Sequence, residues 1–362
     1  MAIFTEVFED VTKQGRKLQT SEYKECGKYA IIDQGQKDIA GYTDEEDGVF
    51  TDVPAIVFGD HTRVIKYIDI PCYLGADGVK LLRATVSDPN YKYLYYALLH
   101  ADIPNTGYNR HFKWLKEVNI NLPDSSKQQE IVEKLDKVND LISLRKQQLA
   151  KLDELVKSRF IELFGDPISN PHGFDNVALA ELADIKIGPF GSLLHKEDYI
   201  EGGHALVNPS HIISGKVVPD NKLTVSPEKY EELSAYHLKA GDVVMGRRGE
   251  MGRCAVVPCD GYLCGTGSLM IRTKGGVTAD YIQKILSFPS FKKTIEDMAV
   301  GQTMPNLNVP IVSNFQIIKP PIEVQQSYYA FVEQTDKSKL AIEQSLDKLE
   351  TLKKALMQKY FG

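Results

Sequence analysis

Asn109, Arg110, His111 and Lys113 stand together in the chain, with Phe112 among them and Tyr108 and Trp114 on either side. Arginine and lysine donate to phosphate oxygens and to guanine O6 and N7, and asparagine matches adenine N6 and N7. A solvated loop with its aromatics packed inward is the plainer account of the same cluster. Arg247 and Arg248 form a second cationic pair directly before Gly249, where a hairpin tip would expose two adjacent donors. Surface charge facing Glu250 is the alternative there. Arg63 and Lys66 repeat the idea more sparsely. The run Gly188-Pro189-Phe190-Gly191-Ser192 has glycines that would let backbone N–H groups gather around a phosphate, with Gly188 and Ser192 at its ends. It lacks the G-K-[ST] ending of a nucleotide loop, so a tight structural turn competes with anion binding. Gln302, Thr303 and Asn306 offer amides and a hydroxyl able to read base edges, although Asn306 and Asn308 also suit a turn or cap before a helix.

Constellations that break or form covalent bonds are missing. The chain has no H-E-x-x-H, no G-x-S-x-G and no Walker A sequence. Asn208-Pro209-Ser210-His211 only echoes the [DNS]-P-P-[YFW] pattern of amino-methyltransferases. Asp184-x-Lys186 and Glu22-x-Lys24 are too short to single out a nuclease. The five cysteines, Cys26, Cys72, Cys254, Cys259 and Cys264, are odd in number and form no C-x-x-C. They read as free buried thiols in a reducing compartment, so no catalytic residue and no metal ligand is assigned.

Two long helices must position these clusters. Residues 128–165 and 325–362 align without a gap at an offset of 197, with identities that include Gln128/Gln325, Leu149/Leu346, Leu152/Leu349, Phe164/Phe361 and Gly165/Gly362. In the first segment Ile131, Leu135, Val138, Ile142, Arg145, Leu149, Leu152 and Val156 alternate steps of four and three, a heptad seam with one polar break. The second keeps the register from Tyr328 to Leu356, with breaks at Thr335, Lys339 and Lys353. Neither helix holds a long core alone, so pairing with each other is the natural solution, and an antiparallel pair would place the globular segments at opposite ends; two unrelated surface helices or a homodimerising coil are the alternatives. The exposed faces, with Lys134, Lys137, Lys146 and Lys151, read as solvated or partner-facing. Candidate strands fall at 55–59, 64–68, 242–245, 254–257 and 269–272, and short helices at 88–100 and 280–288.

The remaining bulk properties set bounds. A chain of 362 residues, 43% hydrophobic and 25% charged, suits two domains with real cores. A net charge of −6 weighs against a nucleic-acid partner, but local clusters create the field that a phosphate feels. No apolar run approaches the roughly 18 residues of a membrane helix. The first ten residues lack a signal layout, so the chain reads as cytoplasmic, with no membrane partner.

The second half carries family phrases: Ile187-Gly188-Pro189-Phe190-Gly191-Ser192 with Asp198-Tyr199, then Gly241-Asp242-Val243-Val244 with Arg247-Arg248-Gly249, then Gly301-Gln302-Thr303-Met304-Pro305-Asn306-Leu307-Asn308 before Pro320-Pro321. The first half adds Gly107-Tyr108-Asn109-Arg110-His111-Phe112 and Leu122-Pro123. In this order, doubled and each time followed by a long helix, the phrases resemble the specificity (HsdS) subunits of type I restriction–modification systems. The Gly-Pro-Phe-Gly-Ser phrase has no counterpart in the first half. The resemblance implies an α+β fold: two mixed α/β target-recognition domains separated and joined by two long antiparallel coiled-coil helices, with pseudo-two-fold symmetry. The domains would be residues 1–123 and 166–320, and the helices 124–165 and 321–362.

The resemblance further implies a non-catalytic DNA-binding subunit that reads a bipartite target in double-stranded DNA, one half-site per domain. A helix of about 38 residues spans roughly 57 Å, room for half-sites about one duplex turn apart. Two modification (methyltransferase) subunits would dock on the helices, and restriction (motor-nuclease) subunits would join them. No cofactor is expected in this chain, and S-adenosylmethionine is expected on the methyltransferase partner. Two other readings stay open: a coiled-coil adaptor without DNA binding, and a DNA nuclease or methyltransferase fusion.

Overall fold

The structure, a computed structural model, describes residues 1–75, 77–249, 251–299 and 306–362, with Ser192 described in its backbone alone. The chain divides into two compact units, Met1–Leu149 with Ala341–Gly362, and Ala150–Leu340. Both long helices, Ser125–Phe164 and Ile322–Phe361, are divided between the units.

In the first unit, a four-stranded antiparallel sheet runs in the order Phe8–Asp10, Val79–Ala84, Ala55–Gly59, Ile65–Ile68. Ala55–Gly59 is buried throughout, as its unbroken apolar run requires of a central strand. A second sheet orders Gly41–Thr43, Tyr29–Ile32 and Cys72–Leu74, the last two parallel. Helix Tyr91–His100 starts where the Asn90 side chain accepts from the Tyr93 N–H at 3.0 Å. It packs with Phe4, Phe112, Leu135 and Met357 in one core.

The second unit repeats the plan. Its antiparallel sheet runs Ala183–Ile187, Ser268–Thr273, Val243–Gly246, Cys254–Val256. His204–Val207 lies parallel to Tyr262–Cys264, as Tyr29–Ile32 does to Cys72–Leu74. Thr278 caps helix Ala279–Leu286 by accepting from the Tyr281 N–H at 3.1 Å. The repeated glutamines do the same job in both units: Gln128 donates to the Pro123 carbonyl at 2.8 Å and Gln325 to that of Pro320 at 2.9 Å. Each fixes the entry of a long helix after its proline.

The helices pair antiparallel within each unit. In the first, Lys146 lies 3.5 Å from Glu350, and Lys134 near Tyr360. In the second, Lys339 lies 2.6 Å from Asp153, and Tyr328 packs edge-on against Phe160 at 5.5 Å. Every seam position is buried or half-buried. Leu141, Leu144, Leu155, Leu340 and Leu352, which flank the seam, are exposed.

Candidate nucleic-acid interface

In the first unit, the hairpin joining Ala55–Gly59 to Ile65–Ile68 turns through Asp60, His61, Thr62 and Arg63. Arg63 takes the left-handed conformation, φ 61°, to make the tight turn. A second loop, residues 104–111, is fastened to this tip. The His111 N–H donates to the Asp60 carbonyl at 2.8 Å, and the Asp60 carboxylate accepts from the Phe112 N–H at 2.8 Å. The His111 Nδ1 also lies 3.0 Å from the Asp60 carbonyl oxygen. A carbonyl can only accept, so Nδ1 carries the proton, leaving Nε2 toward Thr106.

This fastening sorts the candidates. Tyr108 is 87% exposed, its ring stacked on His61 at 4.7 Å and 9°. His61 Nδ1 donates to the Asn109 carbonyl at 3.2 Å, and the Asn109 side chain bonds the Thr106 carbonyl. Arg110 is exposed and has no side-chain partner among the described residues. Lys113 is exposed too, its Nζ 4.9 Å from the Trp114 ring centre. Arg63 is half-buried and donates to the Ile103 carbonyl at 3.0 Å.

Two expectations need correcting here. His111 is fully buried, so its ring presents nothing to a duplex in this conformation. Lys66 is also buried, its ammonium held by the Lys37 carbonyl at 2.5 Å and Asp33 at 3.4 Å. A cation satisfied inside the fold is not available to a phosphate.

The second unit builds the same junction from different residues. After Val243–Gly246 the chain turns and returns in Cys254–Val256. Here the Arg247 carbonyl accepts from the Leu307 N–H at 3.0 Å, in the place that Asp60 and His111 occupy in the first unit. Arg248 is exposed and forms a backbone bridge with Asn306, whose Oδ1 is buried without a partner among the described residues. Arg247 departs from expectation. It is 6% exposed, and its Nε donates to the Thr266 carbonyl at 3.3 Å. Burial, and then the neighbouring Arg248 charge, lower its guanidinium pKa. Arg247 therefore braces the tip, and Arg248 is exposed on it with no ion pair to a described residue.

Gly188 joins the same junction as a packing residue. A Cβ there would stand 2.1 Å from the Gly265 carbonyl oxygen, and its N–H already donates to Ser268 at 3.1 Å. Close backbone approach, rather than an anion cradle, accounts for this glycine. Phe190, which follows, is 61% exposed. Ser192 lies in the short turn Gly191–Leu193. Gln302 and Thr303 lie outside the described residues. Asn308 caps helix Val309–Ser313, accepting from the Ile311 N–H at 2.9 Å.

The sequence reading missed His61, because nothing local marks a histidine that stacks on a tyrosine from a distant loop. It also read all five cysteines as buried, whereas Cys26 is exposed, as is Cys259 between Cys254–Val256 and Tyr262–Cys264. Among the described residues no cluster of three or more His, Cys, Asp or Glu is arranged to hold a metal ion. No helix among them is long and apolar enough to cross a membrane.

The junction thus recurs in both units, and the family whose description is "Type I restriction modification DNA specificity domain" matches residues 4–154 and 171–354. The chain belongs to this family. It is 25% identical over 272 residues to the specificity subunit of the type I restriction enzyme MjaIX from Methanocaldococcus jannaschii, covering 68% of this chain and 60% of that one. It is 22% identical over 267 residues to the MjaVIII specificity subunit of the same organism, covering 68% and 61%. The chain therefore spans about 60% of the length of these curated relatives. Its fold is similar to the crystal structure of the type I restriction–modification S subunit from M. genitalium, with a TM-score of 0.60 at 17% identity, covering 99% of this chain and 95% of that one. As a specificity-domain protein, it repeats the same plan of sheets and helices in the two matched segments.

Proposed function

We propose that this chain is a non-catalytic, cytoplasmic DNA reader that recognises a split sequence in double-stranded DNA, one half-site per globular domain. The domains are residues 1–123 and 166–320, and the helices 124–165 and 321–362. One observation carries the reading: in both units a hairpin tip is fastened by a backbone hydrogen bond to the loop before the closing helix, and each junction exposes a cation, Arg110 in one and Arg248 in the other. Arg63, Asn109 and Lys113 complete the first surface and Asn306 the second, and Gln302 and Thr303, outside the described residues, stay candidates for base contact. Exposed arginines can bond guanine edges and phosphates together. The different side chains at the two junctions suit different half-site sequences, so the target need not be a palindrome.

Two modification (methyltransferase) subunits dock on the helix pair, and restriction (motor-nuclease) subunits join the complex. S-adenosylmethionine belongs to the methyltransferase partner. Leu155 and Leu352 support two equivalent docking places: they match in the repeat and are 48% and 46% exposed. Exposed leucines recurring on helices suit a partner's apolar helix face.

Adenine-methylome sequencing of cells that express the chain with its neighbouring methyltransferase tests the reading. A split methylated motif should depend on the chain, Arg110→Ala should relax one half, and Arg248→Ala should relax the other. A well-expressed complex that adds no methylated motif would sink the proposal.

A further inference from the structure

The duplication provides an internal comparison. Tyr93 donates its hydroxyl to the Asn121 carbonyl at 2.8 Å, as Tyr281 does to Ile318 at 3.0 Å. Phe361 packs on Tyr93 at 5.3 Å, as Phe164 does on Tyr281 at 5.2 Å. In this register Phe160 corresponds to Met357, and Phe288 to His100. In the Ala150–Leu340 unit, Phe160 is fully buried, stacked on Phe288 at 5.4 Å and set edge-on to Tyr328. These rings fill the space between the globular part and the helix pair. In the other unit the smaller Met357 and His100 leave a groove of about 610 Å³.

Leu99, Ile142 and Met357 give this groove apolar lining, and Leu99 is 39% exposed. Lys146, Lys353 and Lys354 add three cations, against one acid, Glu350, at 3.5 Å from Lys146. Neither Lys353 nor Lys354 forms an ion pair with a described residue. Burial, and then the charge of Lys146, lower the Lys353 ammonium pKa. Like charges held beside an apolar surface are destabilising until an anion joins them. A DNA backbone would answer the lysines and leave the apolar lining wet. A helix with carboxylates along one edge and aliphatic side chains beside them would satisfy both.

We propose that the groove between helix Tyr91–His100 and the two long helices binds an acidic amphipathic protein segment, one per chain. Its aliphatic residues cover Leu99, Ile142 and Met357, and its carboxylates face Lys146, Lys353 and Lys354. Because the matching position in the second unit is filled by Phe160 and Phe288, this site is single, unlike docking at the paired exposed leucines.

The test uses the full chain and a short fluorescein-labelled helical peptide with leucines on one face and glutamates beside them, followed by fluorescence anisotropy. The chain should bind the peptide, more weakly as salt rises. Lys353→Glu/Lys354→Glu should weaken binding by about tenfold or more. His100→Phe/Met357→Phe, which restores the aromatic filling of the other unit, should weaken it as well. Unchanged thermal unfolding of either variant shows that it is folded. Equal binding of a lysine-substituted peptide, or full binding by both folded variants, overturns the proposal. So does displacement of the peptide by a short DNA duplex, which would assign the lysines to nucleic acid.

Discussion

The imidazole of His111 is fully buried, with its Nδ1 3.0 Å from the carbonyl oxygen of Asp60. The histidine therefore holds the loop that bears Asn109 and Arg110 against the hairpin tip that bears Arg63. Removing the ring takes away its bond to the Asp60 carbonyl, which keeps the His111 backbone N–H, and empties a buried site, a loss of about 1–3 kcal/mol in stability for His111→Ala. Duplex binding should weaken as the loop loosens. The slope of log K against log salt should not change, because no phosphate contact is lost. Arg110→Ala should do the reverse: stability unchanged within about 0.5 kcal/mol, and a salt slope shallower by about one. Denaturant unfolding and duplex titrations over a salt series separate the two roles. A shallower slope in His111→Ala would return the ring to the DNA surface.

Arg247 and Arg248 are adjacent in sequence and opposite in role. Arg247 is 6% exposed and braces the Thr266 carbonyl, whereas Arg248 is exposed. Arg247→Ala should destabilise the fold by about 1–3 kcal/mol through the lost bond to the half-buried Thr266 carbonyl and lost packing of the buried side chain. Arg248→Ala should leave unfolding unaltered and lower affinity for the cognate duplex. The measurement is the same pair of titrations. If Arg247→Ala were thermally neutral and Arg248→Ala destabilising, the assignment would be inverted.

Regular elements were legible in the sequence where one force dominates. The unbroken apolar run at 55–59 forms a central strand with those bounds, and the strand expected at 269–272 extends to Ser268–Thr273. The heptad seam marks both helices. The helix expected from residue 88 starts only at Tyr91, because Asp88 has φ 54° and Asn90 serves as the cap. Side-chain direction at the junction was not legible. Whether His111 and Lys66 point out or in is decided by Asp60, and by Lys37 with Asp33, partners brought close only by the sheets. Gly188 likewise owes its identity to Gly265, on a distant loop.

The two Phe-Gly ends of the repeat should differ in weight. Phe164 is fully buried among Phe160, Tyr281 and Tyr328, whereas Phe361 is half-buried against Tyr93 and His100. Phe164→Ala should cost about 3–5 kcal/mol by opening a cavity in a closed aromatic core. Phe361→Ala should cost less, since water already reaches its ring. Hydrogen exchange should show the lost protection concentrated in the Ala150–Leu340 unit for the first variant and in the other unit for the second. Equal losses for both would contradict the difference in packing.

The cysteines give a prediction tied to pH. Burial pushes the thiols of Cys72 and Cys264 up to about 12 and that of Cys254 to about 11, from an ordinary 9.0. The thiolate is the reactive form, so these three should resist alkylation in the native chain at about pH 8. Cys26 and Cys259 are exposed and should react with iodoacetamide, a pattern that peptide mass spectrometry reads directly. The raised values also set a direction for stability. Below the unfolded value of 9.0 both states keep these protons and the thiols contribute no pH dependence. Above it the unfolded chain releases protons that the folded chain retains, so stability falls as pH rises from about 9 toward 11 or 12. Replacing Cys72, Cys254 and Cys264 together by alanine should flatten that alkaline decline, although it lowers stability at neutral pH by removing buried volume. An unaltered decline in the triple variant would place its origin in other groups.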